Sequence, residues 1–355
     1  MSRVYFATMR VIFSHMTDQP LPRVCVGLIT YNSMTDLPAV ILGLELQDYP
    51  SLQVIILDNV SQDDSVKFVQ DHAAFAKLII NPANVGFARG HNQILAEAQL
   101  GPNDYYLALN ADLVLSSNYV TQLVASLRKN GSDWGTGKLY QMDEQGRPTR
   151  QLYSTGHAML RGGYALNIGK GLEDIGQFDE GREVFGAPGA AVLISQKLIA
   201  AVAPDGELFD ADMFFYSEDT DLDWRARLQG FKCWYEPTAV AYHRGSPRES
   251  LNAQGLGNRY LSVIKNAFLL DLFTYNVPLI VFHCVLRLLI TPKRGWVMTR
   301  KVITHARRMW RKRSKPAVTR GYMLNWFQWG TWQLSDQPIT TRDRLMSFWR
   351  KLKGR

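Results

Sequence analysis

Short apolar runs that close on polar residues, separated by segments of helical spacing, constrain this chain more than any other feature. Val24 to Ile29, Val54 to Leu57 and Leu107 to Leu109 are continuous apolar runs, the pattern of strands covered by helices on both faces. Lys77 to Ile80 reads as a further strand. Between them lie Asp36 to Leu46 with helical spacing, a polar turn opening a helix through about His72, and a helix from Gln93 to Gln99. A βαβ rhythm of this kind predicts parallel strands with right-handed crossovers. Ligands of open α/β sheets bind beyond the carboxyl ends of the strands, so the polar residues there are the first candidates for function. They are Thr30, Tyr31 and Asn32 after the first run, Asp58 and Asn59 after the second, and Asn110 and Asp112 after the fourth.

A carboxylate emerging from an apolar strand suits a cation, and a short Asn-x-Asp at a strand end would present one oxygen to Mg²⁺ or Mn²⁺ carried on a diphosphate. The competing reading of Asn110 and Asp112 is an Asx-turn. Asp58, directly after the second strand, suits a ribose or base contact, whereas helix capping accounts for Ser61 and Asp63. The stretch from Asn81 to Asn92 reads as a loop; it fits neither GxGxxG nor the Walker pattern, and its Arg89 is a candidate to neutralise a phosphate.

From Ser116 a helix runs through about Lys129, followed by a glycine-punctuated stretch to Gly186 that reads as loops and β-ribbon over a site. Gly186 to Ala191 are small and would let a backbone or substrate approach closely. They lead into an apolar strand, Val192 to Ile194, and a helix to Val202. A second chemical cluster spans Phe209 to Arg227. Its Ser217 to Asp221 segment reads as a helix N-terminus, which alone explains Asp221 and Asp223. Glu218 and Asp219 adjoin the aromatic run Phe214-Phe215-Tyr216, which would desolvate a carboxylate and raise its basicity, as a general base requires. Phe231 to Trp234 and Thr238 to Ala241 read as two strands, the second ending in His243, either a packed histidine or a ligand to metal or phosphate.

Cys25, Cys233 and Cys284 are odd in number and widely spaced, which argues against a disulfide framework or zinc site and suits a reducing cytoplasm. No apolar run of signal-peptide length opens the sequence. The net charge of +8 is unevenly placed. After Ile290 there are 17 Lys or Arg against two acids, leaving 23 against 30 in residues 1–290. A basic tail on an acidic body argues against nucleic-acid binding by the body. Six of the nine tryptophans also fall after residue 290: Trp296, Trp310, Trp326, Trp329, Trp332 and Trp349. Basic charge with tryptophan is the composition of a membrane-surface segment; a tail folded onto the body, or one that mediates homo-oligomerisation, is the alternative. The apolar run Val277 to Ile290 is 14 residues, short of the roughly 20 needed to span a bilayer. Deletion of residues 277–355 is therefore expected to release the protein from membranes.

Taken together, Thr30-Tyr31-Asn32, Asp58-Asn59-x-Ser61-x-Asp63, Asn84-x-Gly86-Phe87-Ala88-x-Gly90-x-Asn92, Asn110-x-Asp112, Glu218-Asp219-x-Asp221-Leu222 and Tyr242-His243 resemble the family 2 glycosyltransferases of the GT-A fold, in particular their bacterial rhamnosyltransferase-like branch, over about residues 22–270. The usual Asn-Pro-Asp is Asn-Ala-Asp here, which keeps the carboxylate and loosens the turn.

The resemblance implies an α/β fold: a Rossmann-like, mostly parallel sheet with helices on both faces and a helical, basic C-terminal extension. Four regions are expected: an N-terminal extension (1–21), a nucleotide-sugar half (22–115), an acceptor and catalytic half (116–250) and a membrane-associating tail (251–355). The donor side would comprise Thr30, Tyr31, Asn32, Asp58, Asn59, Asn84, Gly86, Arg89, Asn92, Asn110 and Asp112. Asp112 and His243 would hold Mg²⁺ or Mn²⁺. Asp219 would be the base with Glu218 as runner-up, and Gly189, Asp221 and Trp224 would face the acceptor. The implied reaction is inverting transfer of a sugar, rhamnose from dTDP-rhamnose or another sugar from a UDP donor, to a lipid-linked or polysaccharide hydroxyl. The implied location is the cytoplasmic face of the plasma membrane. The rival readings are a non-catalytic nucleotide-sugar or glycan binder of the same fold and a sugar nucleotidyltransferase; the latter would want a glycine-rich basic loop where Thr30-Tyr31-Asn32-Ser33 stands.

Overall fold

The computed structural model describes residues 21–245 and 253–328. The expected N-terminal extension to Pro20, and Trp329, Trp332 and Trp349, lie outside the described residues. The chain opens with β1 (Val24–Thr30), α1 (Leu37–Glu45), β2 (Leu52–Asp58), α2 (Ser65–His72), β3 (Ala76–Ile80), α3 (Gly86–Ala98) and β4 (Tyr105–Asn110). These strands pair in parallel in the order β3-β2-β1-β4, as the βαβ rhythm requires. Next come β5 (Leu113–Leu115), α4 (Tyr119–Asn130), β6 (Trp134–Met142), β7 (Pro148–Ser154), β8 (His157–Leu160), β9 (Tyr164–Asn167), β10 (Arg182–Val184), β11 (Ala191–Ser195), α5 (Gln196–Val202), α6 (Glu218–Leu228) and β12 (Cys233–His243). Strand β11 runs antiparallel beside β4, and β6, β12 and β10 extend the same sheet beyond it.

Alternation along the strands divides the core in two. Val26, Leu28, Ile56, Leu107 and Leu109 pack on one face against α1, α2 and α4. Cys25, Ile55, Leu57 and Ala108 pack on the other against α3, α5 and α6. The cysteines Cys25, Cys233 and Cys284 are buried and free.

Several expectations are corrected. The segment read as a loop before Gln93 is already helical from Gly86, because Asn84 closes an Asx-type turn onto the Gly86 amide (2.9 Å) and Gly86 takes φ +80°, directing the chain into α3. Residues 130–186 are more than loops and ribbon, since β6 lies inside the main sheet. Its Gly135 and Gly137 hide the strand pattern, yet a Cβ there would fall 2.3 Å from Trp234 O and 1.9 Å from Ala239 O. The two strands expected at 231–241 are one, Cys233–His243, with a register shift between Glu236 and Val240, where Pro237 has no amide to give the ladder.

The C-terminal part forms α7 (Ala253–Asn266), α8 (Leu269–Ile290), α9 (Pro292–Arg311), α10 (Arg320–Trp326) and a two-residue strand β13 (Phe327–Gln328), which pairs with β8. Helix α9 packs along both α7 and α8. Tyr260, Val263, Ile280, Met298, Val302 and Met323 build a third core against Trp224 and Leu228 of α6. The apolar run therefore belongs to a continuous helix of 22 residues, long and apolar enough to cross a bilayer by length and composition. The shorter expectation failed because Leu269 to Asn276, which includes one turn of π-helix, is polar enough to mask the helix start.

Candidate active site

Strand β5 pairs antiparallel with β12, with His243 opposite Leu113. That register brings His243 Nε2 to 3.0 Å from Asp112 Oδ1, while the Arg244 amide donates to Asp112 O (3.0 Å). Burial pushes the Asp112 carboxyl up, but the His243 imidazole and nearby amides outweigh it and hold it below the usual carboxylate range. His243 is buried, and its Nδ1 has no hydrogen-bond partner among the described residues. Asp36, at the start of α1, faces the same pair, with Arg244 Nε 2.7 Å from Asp36 Oδ1. Asp36 and Arg244 were not singled out from the sequence, where Asp36 looks like an ordinary helix-start residue.

The residues fit a small divalent cation. A separation of 3.0 Å is that of adjacent ligands on an octahedral ion with metal–ligand distances of about 2.0–2.1 Å. Among the described residues no three His, Cys, Asp or Glu side chains converge on one metal position, so the remaining ligands would come from water and a diphosphate.

The other donor-side residues divide sharply. Asp58 is buried, and its carboxylate accepts from Thr30 Oγ1 (2.9 Å), Ser61 Oγ (2.5 Å) and the Ser61 amide (2.8 Å). It ties the ends of β1 and β2 together. The same turn places Asn32 at φ 51°, with its amide donating to Ser61 Oγ and its Oδ1 accepting from the Gln62 amide. Tyr31 is half exposed beside it. Asn59 is buried and accepts from Asn81 Nδ2, and its own Nδ2 donates to Gly86 O. Asn92 brackets the Phe209 backbone, donating to its carbonyl (2.7 Å) and accepting from its amide (3.0 Å). Asn84 and Arg89 are exposed. The N-terminus of α3 does not stand open as a phosphate cradle: the Phe87 and Ala88 amides are both taken by Phe214 O. Asp58, Asn59 and Asn92 are thus each held by hydrogen bonds within the protein.

Phe214, Tyr216 and Ser217 all take positive φ (61°, 73° and 69°) immediately before α6, a conformation that costs non-glycine residues of order 1–3 kcal/mol each. The carbonyls of the turn are captured: Asn258 Nδ2, from α7, lies 2.8 Å from Met213 O, 3.0 Å from Phe215 O and 2.8 Å from Tyr216 O. Two carboxylates follow this turn. Glu218 is buried, and desolvation first, with the Asp219 charge second, pushes its carboxyl up to about 8. Asp219 keeps about a quarter of its side chain in solvent and accepts from the Gly189 amide through Oδ2 (3.1 Å) and the Thr220 amide through Oδ1 (2.7 Å). The raised basicity therefore falls on the buried Glu218, and Asp219 is the carboxylate that stays open to solvent. Because the Asn110 amide donates to Ala190 O (2.9 Å), the Gly189-Ala190 backbone joins Asp219 to the strand end that carries Asp112.

Two acceptor-side expectations are corrected. Asp221 is fully buried, bound by Arg225 Nε (2.8 Å), Lys265 Nζ (2.9 Å) and Asn266 Nδ2 (2.8 Å). Trp224 is buried against Phe327, with ring centroids 5.4 Å apart. Successive turns of α6 point them into the body and away from the cleft. The Gly189 amide, by contrast, donates to Asp219 Oδ2.

Residues 25–202 match the sequence pattern of the family described as Glycosyl transferase family 2. The chain belongs to this family. No curated protein sequence matches this glycosyltransferase. Among solved structures, it is similar to GalNAc-T7 with UDP, GalNAc and Mn²⁺ at 14% identity and TM-score 0.56, over 70% of this chain and 48% of that one. S. aureus TarS gives 16% identity and TM-score 0.47 over 69% and 40% of the respective chains. The chain thus spans less than half the length of either. Residues 1–349 of TarS in complex with UDP give 14% identity and TM-score 0.46, over 81% and 88%. The sheet with its two helical layers is the GT-A arrangement shared with GalNAc-T7.

Proposed function

We propose that this chain is an inverting glycosyltransferase that moves a sugar from a nucleotide diphosphate to an acceptor hydroxyl. The observation that carries the reading is the Asp112–His243 pair and the open Asp219 carboxylate, joined through the Asn110–Ala190 and Gly189–Asp219 hydrogen bonds. Asp112 and His243 would hold Mg²⁺ or Mn²⁺, which when bound neutralises charge on the departing diphosphate. Asp219, held by the Gly189 and Thr220 amides, accepts the acceptor's hydroxyl proton. Tyr31 and Asn32, on the turn tied by Asp58, form the nucleoside end. Mn²⁺ and UDP in GalNAc-T7 support a metal-bound nucleoside diphosphate; rhamnose from dTDP-rhamnose rests on the sequence resemblance. Asp112→Ala is expected to abolish the metal dependence of UDP or dTDP binding. Calorimetry with and without Mn²⁺ checks it, and equal affinities in all four combinations would remove Asp112 from the site.

The acceptor is read as lipid-linked and the enzyme as peripheral on the cytoplasmic face of the plasma membrane. Helix α8 would be about 33 Å long at 1.5 Å per residue, but Leu272, Ile280 and Cys284 are packed into the third core. One side of the helix is bound to the body. The other exposes Phe273, Phe282, Leu289 and Ile290, followed by exposed Lys293, Arg294 and Trp296. An apolar stripe edged by basic residues suits the interface of an anionic leaflet, where each Lys or Arg contributes about 1 kcal/mol. Full-length protein is expected to float with anionic vesicles, less so at high salt, and Phe282→Asp with Leu289→Asp to stay behind. A wild-type protein that ignores anionic vesicles at low salt rules this out.

A further inference from the structure

Behind Asp219 lies a histidine to which the reading above gives no role. His157, the first residue of β8, is buried, and its Nδ1 stands 2.8 Å from Asp223 Oδ2. Asp223 is buried as well, and its Oδ1 accepts from Trp134 Nε1 (3.2 Å) and the Ala187 amide (3.1 Å). Two fixed donors on Oδ1 favour Asp223 as an acceptor, although burial pushes its carboxyl above the ordinary value, and this puts the proton of the shared hydrogen bond on His157 Nδ1. The other ring nitrogen, Nε2, faces Asp219 Oδ2 at 4.0 Å. The arrangement needs Gly186: a Cβ there would lie 1.9 Å from Asp223 Cγ, and Gly186 O also accepts the His157 amide (2.8 Å).

We propose that His157, locked in orientation by Asp223, is a positioning residue for Asp219: its Nε2–H balances and aims the carboxylate that takes the acceptor's proton. The proposal rests on Asp219 being the base. With Nδ1–H committed to Asp223, a protonated Nε2 opposes Asp219. The Nε2–H faces the carboxylate before the reaction and stays on the ring while Asp219 takes the acceptor's proton, so His157 holds Asp219 Oδ2 in place without itself transferring a proton. The gap of 4.0 Å is longer than a hydrogen bond, as in many substrate-free catalytic pairs that tighten on binding. The charged or titratable groups that face the ring among the described residues are Asp223 and Asp219, both on α6, with the Asn167 side chain from β9 beside them. Burial pulls the imidazole down, but Asp223 and then Asp219 outweigh it and hold His157 above the ordinary histidine value.

Proton titration of ¹⁵N-histidine signals in the full-length protein tests this. The sequence has seven histidines, and His157→Gln identifies the signal of interest by its loss. Asp219→Asn removes an anion from beside Nε2, so the midpoint of His157 is expected to fall, by on the order of one pH unit. Asp223→Asn should lower it further and mix the tautomers. A midpoint that is the same in wild type and Asp219→Asn overturns the proposal, even if Asp223→Asn does not fold. Turnover is read separately: an active Asp219→Asn would remove the base assignment while leaving the measured coupling intact.

Discussion

Asp219→Asn is expected to lower turnover by about 10²-fold or more with donor binding nearly unchanged, because a positioned general base contributes about 10²–10⁴. Glu218→Gln should cost far less, although burial raises the Glu218 carboxyl. At neutral pH a group pushed up to about 8 is mostly protonated, and a protonated acid cannot accept a proton; glutamine copies that form in shape and charge. Its Oε2 is also buried without a partner among the described residues, whereas Asp219 opens to solvent and is aimed by the Gly189 and Thr220 amides. Initial rates and calorimetric donor affinity for the two variants decide the matter. Loss of turnover in Glu218→Gln with an active Asp219→Asn would move the base by one residue.

The parallel half of the sheet and its strand-end residues were legible because buried parallel strands announce themselves as continuous apolar runs, and Thr30, Asp58 and Asp112 interrupt that pattern where each strand ends. Strand β6 was not, because close approach to Trp234 O and Ala239 O demands glycines and glycines read as loop. Site roles were legible only as residue types. A buried aspartate and an open one look alike in sequence; what separates Asp221 from Asp219 is Lys265, 44 residues away. His157 likewise gains its meaning from Asp223, 66 residues on, and no local pattern connects them. The tail was read from charge and tryptophan alone, and folding onto the body is the alternative that its ion pairs support. Lys312 Nζ reaches Asp210 Oδ1 (2.7 Å) and Asp212 Oδ2 (3.1 Å), and Arg308 pairs with Asp212. Deleting residues 277–355 would strip Met298, Val302 and Met323 from the third core, so loss of membrane binding in that truncation would report unfolding as readily as a missing anchor.

Lys265→Met is expected to be the most destabilising single change in this tail, by about 3–5 kcal/mol, the cost of breaking a buried ion pair from one side. Lys265 Nζ bridges Asp210 Oδ2 (2.7 Å) and Asp221 Oδ2 (2.9 Å), whose side chains are 1% and 0% exposed. Methionine fills similar space but leaves the two carboxylates sharing a buried site with Arg225 and Lys312 as their remaining cations. The pH dependence follows from the signs. Burial pushes Asp210 up, but Lys265 and Lys312 outweigh it and hold it at about 2; Asp221 is likewise held below its ordinary value by Lys265 and Arg225. Both therefore stabilise the wild type above the unfolded carboxylate value near 4; the Asp210 contribution is lost as pH falls from there toward about 2, and that of Asp221 as pH falls through its own lowered value. Without Lys265 their folded values rise, so the deficit of the variant should be greatest at neutral pH and shrink as the medium is acidified and the orphaned carboxylates protonate. Arg308→Ala supplies the contrast: its side chain is 62% exposed and its partner Asp212 keeps Lys312, and a pair with so exposed a member is worth about 0–1 kcal/mol. Urea unfolding midpoints at pH 7 and pH 4.5 measure both. A Lys265→Met protein within about 1 kcal/mol of wild type at pH 7 would mean that Arg225 and Lys312 neutralise the site by themselves. A large loss would establish that α7 holds, through Asp221, the helix that presents Glu218 and Asp219, making the first tail helix part of the catalytic body.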